Sequence, residues 1–184
     1  DFTAIGKALD VGAVGVIVPL INNAADAAAA VAAAKYPPMG GRSYGPMRLA
    51  LRIGPKPADA NGTTLVFAMI ETPEGLANVK EICATPGLDG IYVGPSDLTI
   101  AVGGAFPGDP QVEAEFNAAL ENIAEAAASA GIAAGIHTPA GSVAAQRLTQ
   151  GYTFATIASD LTHLEQIAKS HLDTARSDAG TKES

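Results

Sequence analysis

Short apolar runs alternate with helix-forming stretches along nearly the whole chain, and this alternation narrows the fold more than any other feature. Val14-Gly15-Val16-Ile17-Val18 is a continuous apolar run, as expected for a strand buried on both faces. Leu65–Ile70, Gly90–Val93, Ala133–Ile136 and Thr153–Ile157 repeat it, the last two more weakly. Between them lie helices. From Val112 the apolar positions are Val112, Phe116, Leu120, Ile123 and Ala127, spaced by three or four, after an Asp109-Pro110 start. Phe2 to Asp10 reads as helix with Ile5 and Leu9 inward. Asn23 to Ala34 is alanine-rich, with high propensity but no defined face, so another surface is expected to pack on it. The last helix uses Leu161, Leu164, Ala168 and Leu172 and is capped by Ser159 or Asp160.

Strand–helix alternation predicts an α/β fold with a parallel sheet and right-handed crossovers. An open doubly wound sheet and a (β/α)₈ barrel both satisfy it. Five strands are too few to close the usual barrel, yet the chain starts on a helix, as if strands preceded it. The stretch from Lys35 to Gly62 breaks the rhythm. It is rich in Pro and Gly and long for a connection, a length often reserved for function. Residues from Arg176 onward read as a polar, frayed tail.

Totals remove several function classes. The 184 residues suffice for one domain, and 48% hydrophobic with 16% charged is a globular composition. A net charge of −8 argues against a nucleic-acid partner. No stretch is apolar enough to span a membrane, and a cytoplasmic location is the default. Cys83, the single cysteine, reads as packing. Arg42, Arg48 and Arg52 suit a small anionic ligand or a solvated surface equally well.

Parallel α/β folds bind ligands at the carboxyl ends of their strands. The five runs end in Pro19-Leu20, Glu71-Thr72, Gly94-Pro95-Ser96-Asp97, His137-Thr138 and Ser159-Asp160. Glu71 and Asp97 belong to consecutive units, so their strands are expected to pair at about 4.8 Å. Two carboxylates that close call for a cation, and Mg²⁺ takes one or two carboxylates while leaving positions for substrate oxygens. The competing reading makes Asp97 a helix cap and Glu71 an exposed charge. Gly94 allows close approach of a ligand, and N–H groups at the next helix start suit an anion, so a 2-oxo acid fits.

Four motifs carry a resemblance. "LDVGAVGVIVPLINNAADA" (Leu9 to Ala27), "KYPPMGGRSYG" (Lys35 to Gly45), "MIETPEGLANV" (Met69 to Val79) and "GLDGIYVGPSDLT" (Gly87 to Thr99) resemble, in order, those of the HpcH/HpaI aldolase family. "GYTFATIASDLTHL" resembles the family's last strand and helix. The family comprises metal-dependent pyruvate aldolases of the 4-hydroxy-2-oxoheptanedioate type. The resemblance implies a TIM barrel of the phosphoenolpyruvate/pyruvate-binding type, with about the last five βα units in residues 1–175 and a tail in 176–184. It implies a divalent metal, Mg²⁺ first, with Mn²⁺ or Co²⁺ as substitutes, held by Glu71 and Asp97. Ser96, within Gly94-Pro95-Ser96-Asp97, falls where the family's backbone meets the substrate carboxylate. Asp10 resembles an aspartate that supports a catalytic histidine, and Arg42 an arginine assigned to the mouth of the site. The implied partners are a 2-oxo acid and an aldehyde, with no nucleic acid or membrane, in a homo-oligomer that is commonly hexameric.

Two departures stand out. Met69 occupies a substrate-contact position that is often Gln. The family's histidine base and enolate-stabilising arginine have no counterpart, which gives the expectation of a barrel fragment that is inactive alone. His137 sits at a strand end but does not match the base, and His163 and His171 read as surface or interface residues. The alternatives are a CoA-ester lyase of the citrate lyase β or malyl-CoA lyase type and a non-catalytic barrel remnant.

Overall fold

The computed structural model describes residues 2–44 and 57–180. Five strands form one parallel sheet in chain order: β1 Gly15–Val18, β2 Leu65–Ile70, β3 Gly90–Val93, β4 Ala133–Thr138 and β5 Phe154–Ile157. The strand order never reverses, so the doubly wound alternative falls away and the wall of a barrel remains. The helices are α1 Phe2–Asp10, α2 Ala24–Ala34, α3 Pro57–Thr63, α4 Pro73–Ala77, α5 Val79–Cys83, α6 Pro95–Ala101, α7 Glu113–Ala130, α8 Gly141–Thr149 and α9 Asp160–Gly180.

Strand periodicity sorts the side chains into two faces. Val66, Ala68, Ile70, Ile91, Val93, Ala134 and Ile136 point outward and are buried under the helices. The inward face is aromatic. Phe67 on β2 meets Phe154 on β5 with ring centroids 5.3 Å apart, and Tyr92 lies 6.0 Å from Phe154. Two strands separate β2 from β5, about 14 Å in a flat sheet. Contact across that distance requires the sheet to curl toward the aromatic face. Gly135 makes room, because a Cβ there would sit 2.1 Å from Phe154 Cζ.

The helices follow the sequence pattern with informative differences. Ile5 and Leu9 of α1 are buried, and so is one side of α2. Asn23 caps α2 by accepting from Asp26 N–H at 3.0 Å. Asp109 accepts from Ala105 and Gln111 N–H, each at 2.9 Å, which lowers its carboxyl pKa. Its Pro110–Val112 segment is a 3₁₀ turn, so α7 starts at Glu113 rather than at Val112. Helix α3 interrupts the stretch read as one long loop. Helix α9 continues to Gly180, past the expected start of a frayed tail at Arg176. Its apolar row forms, yet Leu161, Leu164 and Leu172 are each more than half exposed. Periodicity establishes the helix and its stripe but not a covering surface. No helix among the described residues is long and apolar enough to cross a membrane. Arg48 and Arg52 lie outside the described residues.

Candidate active site

Glu71 follows directly on β2, whose outward residues Val66, Ala68 and Ile70 anchor the strand in the core. Its side chain turns to the inward face and is 5% exposed. Leu20, just past β1, donates its N–H to Glu71 Oε1 at 2.9 Å. Leu20 holds a left-handed φ of 56°, an uncommon conformation for a branched residue that costs on the order of 1 kcal/mol. Strain at this point aims a backbone donor at a carboxylate. The next residue, Thr72, caps α4 by accepting from Gly75 N–H at 2.9 Å. Glu71 is therefore neither a cap nor a surface charge.

Glu71 Oε2 faces β3. A Cβ on Gly94 would lie 2.6 Å from Oε2 and 2.6 Å from Met69 Cε, so only glycine lets the carboxylate and thioether reach this place. Gly94 is also the N-cap of α6, with Pro95 in the first turn. Asp97 and Ser96 are exposed there. The Asp97 side chain makes no hydrogen bond among the described residues, so it is not the cap expected in the competing reading.

A buried carboxylate held by one N–H, with no cationic side chain paired to it among the described residues, is short of positive charge. A second carboxylate on the adjacent strand's helix deepens the deficit. This donor set fits a hard divalent cation with open positions. Among the described residues no group of three or more His, Cys, Asp or Glu forms a closed metal site.

Asp10 and Arg42 lie elsewhere. Arg42 Nη2 donates to Asp10 Oδ1 at 2.8 Å, and its guanidinium lies 4.9 Å from the Tyr36 ring centroid. Burial raises the Tyr36 pKa, with Arg42 opposing. Asp10 ends α1 just before β1, and the Arg42 N–H bonds Lys35 O at the end of α2. Lys35 Nζ in turn reaches Asn61 O, Thr64 O and Asp89 Oδ2, all just ahead of β2 or β3. The whole cluster sits at the amino ends of the strands. Within this chain, Arg42 does not shape the mouth beside Glu71 and Asp10 does not approach it. The helices of a βα unit run back against their strands, so α1 and α2 deliver their last residues to the opposite end.

His137 is on the Glu71 side. Met69, Tyr92, Gly135 and Phe154 pair in one register across β2 to β5. Two residues further on, Glu71, Gly94, His137 and Thr156 fall in the next row of the same face. His137 Nδ1 lies 3.0 Å from Thr156 Oγ1, which also bonds the Tyr92 hydroxyl. His163 is exposed, with Nε2 3.1 Å from Ile157 O, and His171 is exposed on α9.

The HpcH/HpaI aldolase/citrate lyase model matches residues 2–166. The chain belongs to the HpcH/HpaI family. It is 41% identical over 177 residues to a hydroxypyruvate/pyruvate aldolase of Rhizorhabdus wittichii, covering 96% of this chain and 70% of that protein. It is 36% identical over 173 residues to a 4-hydroxy-2-oxo-heptane-1,7-dioate aldolase of Salmonella paratyphi B, covering 92% and 65%. The crystal structure of an HpcH/HpaI aldolase/citrate lyase family protein from Burkholderia cenocepacia superposes with a TM-score of 0.87 at 29% identity, covering 96% of this chain and 70% of that one. The chain thus spans 65–70% of the length of these proteins. Family membership supports a carbon–carbon lyase, and the curled sheet is the HpcH/HpaI fold.

Sequence reasoning about this HpcH/HpaI chain missed two features of the site. The Leu20 donor is a backbone group, invisible to residue type. The link from His137 through Thr156 to Tyr92 joins three strands, and only the register of the sheet brings its members together.

Proposed function

We propose that the chain carries the cation and 2-oxo acid site of a class II aldolase, which makes or cleaves a C–C bond between pyruvate, as its enolate, and an aldehyde. The 4-hydroxy-2-oxo acids are its substrates. The observation that carries this reading is the buried Glu71 carboxylate, held at one oxygen by Leu20 N–H and facing bare Gly94 with the other. Glu71 and Asp97 would hold a divalent cation, Mg²⁺ first and Mn²⁺ or Co²⁺ as substitutes, which supplies Lewis-acid charge favouring the enolate form of a 2-oxo acid. Leu20 fixes the Glu71 carboxylate, and Gly94, with no side chain, leaves the space above β3 to that carboxylate and to Met69 Cε. Met69 walls that space where a polar residue would orient the substrate. The turn through Pro95, Ser96 and Asp97 receives the substrate carboxylate. The aldolases at 36–41% identity favour this branch over CoA-ester cleavage. The same reading carries a homo-oligomeric, cytoplasmic enzyme.

The test is exchange of pyruvate methyl protons with deuterium in the intact protein, with and without Mg²⁺. Exchange is expected to require the cation and to fall at least about a hundred-fold in Glu71→Gln. Undiminished exchange in that variant overturns the reading.

A further inference from the structure

We infer that His137 is a substrate-contact residue of this site: its Nε2–H donates a hydrogen bond to the C4 oxygen of a 4-hydroxy-2-oxo acid, and Thr156 and Tyr92 are positioning residues that fix the imidazole. The inference rests on the function proposed above and names which group meets the far end of its substrate.

Placement comes first. Glu71 and His137 share one row of the inward face, with only Gly94 of β3 between them. Two strand spacings separate them, about 10 Å. Gly94 carries no side chain, so the Glu71 carboxylate and Met69 Cε lie over β3 itself, on the side that leads to β4. A short-chain acid anchored at Glu71, Asp97 and the Ser96 turn therefore extends its other end toward β4. A cavity of about 610 Å³ beside that end, between the end of β4 and helices α6, α7 and α8, is lined by Ser96, His137, Phe116, Val143 and Arg147.

The polarity of the side-chain link comes next. Tyr92 is 6% exposed, and among the described residues its hydroxyl meets only Thr156 Oγ1. A buried phenol that only accepted would leave its own proton unsatisfied. Tyr92 therefore donates to Thr156, and we assign the threonine proton to His137 Nδ1. A neutral imidazole accepting at Nδ1 carries its proton on Nε2. The Thr138 hydroxyl donates to Thr156 O at 2.9 Å and clamps the ends of β4 and β5, so the link is held on both sides. The result is one oriented N–H donor at the rim. An aldehyde oxygen that gains charge as the C3–C4 bond forms is a group such a donor stabilises.

The experiment compares two reactions of the intact protein with Mg²⁺ present. One is cleavage of 4-hydroxy-2-oxovalerate, which has the C4 oxygen. The other is methyl-proton exchange of pyruvate, which lacks it. His137→Leu is expected to lower the ratio of cleavage to exchange about ten-fold. His137→Gln, whose amide nitrogen stands near the place of Nε2, should recover most of that loss. Thr156→Val should lower the ratio several-fold, and Thr156→Ser should preserve it. A readout independent of turnover is ¹⁵N NMR of the imidazole in the substrate-free parent. The Nε2-protonated tautomer is expected there, with a mixture of tautomers in Thr156→Val. This measurement stands even where the leucine variant does not fold. A ratio unchanged in both His137 variants, or an Nδ1-protonated parent, overturns the inference. Exchange that is insensitive to Glu71→Gln overturns the proposed function instead, so the two failures are distinguishable.

Discussion

The two ends of the sheet both bury charge, and they treat it in opposite ways. At the amino ends of the strands, the Lys35 ammonium has three acceptors: Asn61 O, Thr64 O and Asp89 Oδ2. Asp89 Oδ2 also takes the Val66 N–H at 2.8 Å, and Arg42 is paired with Asp10. At the carboxyl ends, the buried Glu71 has one backbone donor and no cationic partner among the described residues, and Asp97 stands exposed on α6. Charge matched within the chain belongs to stability. Charge left unmatched in a buried place has to be matched by something that binds.

That contrast can be broken. The largest effect is expected at the amino ends. Lys35→Met strands two carbonyls and a carboxylate, and should cost about 3 kcal/mol in denaturant unfolding. A loss below about 1 kcal/mol would show that the cluster does not hold the fold. Glu71→Gln should do the reverse. Divalent cation affinity, read by calorimetry with Mn²⁺, should fall at least about a hundred-fold while stability without metal holds or rises, since an uncompensated charge is removed. Gly94→Ala tests the space between the carboxylate and β3. Its Cβ would collide with Glu71 Oε2 and Met69 Cε, so about 2 kcal/mol of stability and most of the cation affinity should go together. Asp10→Asn should cost only about 1 kcal/mol and leave Mn²⁺ affinity unaltered, because its partner Arg42 is at the other end. An altered affinity there would erase the distinction between the two ends.

The smallest effect concerns Cys83, buried in α5, whose thiol is pushed up to about 11 by desolvation. The folded protein binds this proton more tightly than the unfolded chain, whose thiol titrates near 9.0. The associated stability is complete below pH 9 and lost as pH rises toward 11. The Tm difference between the parent and Cys83→Ala should be constant at lower pH and change only in that alkaline window. The native thiol should resist alkylation at neutral pH.

Much of the carboxyl-end site was legible before the fold. Glu71 and Asp97 close consecutive strand–turn segments, and a parallel sheet has to bring such residues together. His137 was marked by its strand end too, but its partners were not. Tyr92 reads as an ordinary core aromatic and Thr156 as an ordinary strand residue until the register pairs Tyr92 with Gly135 and His137 with Thr156. The placement of Arg42 and Asp10 was hidden for a related reason. Both come from motifs that resemble an aldolase's, yet motif order carries no information about which end of the sheet a loop reaches. Lys35 went unremarked because a lysine two residues ahead of a Pro-Pro pair looks like loop surface, and only the return of Asn61 and Thr64 buries it.

Chain order alone settled the class of fold, the succession of five parallel strands and the pair of carboxylates at their ends. Local apolar runs and caps specify each element, and alternation of strand and helix leaves few ways to join them. Tertiary structure decided what each charge is for. Whether a carboxylate is matched depends on neighbours fifty residues away, such as Leu20 for Glu71, and no local pattern encodes a partner that distant.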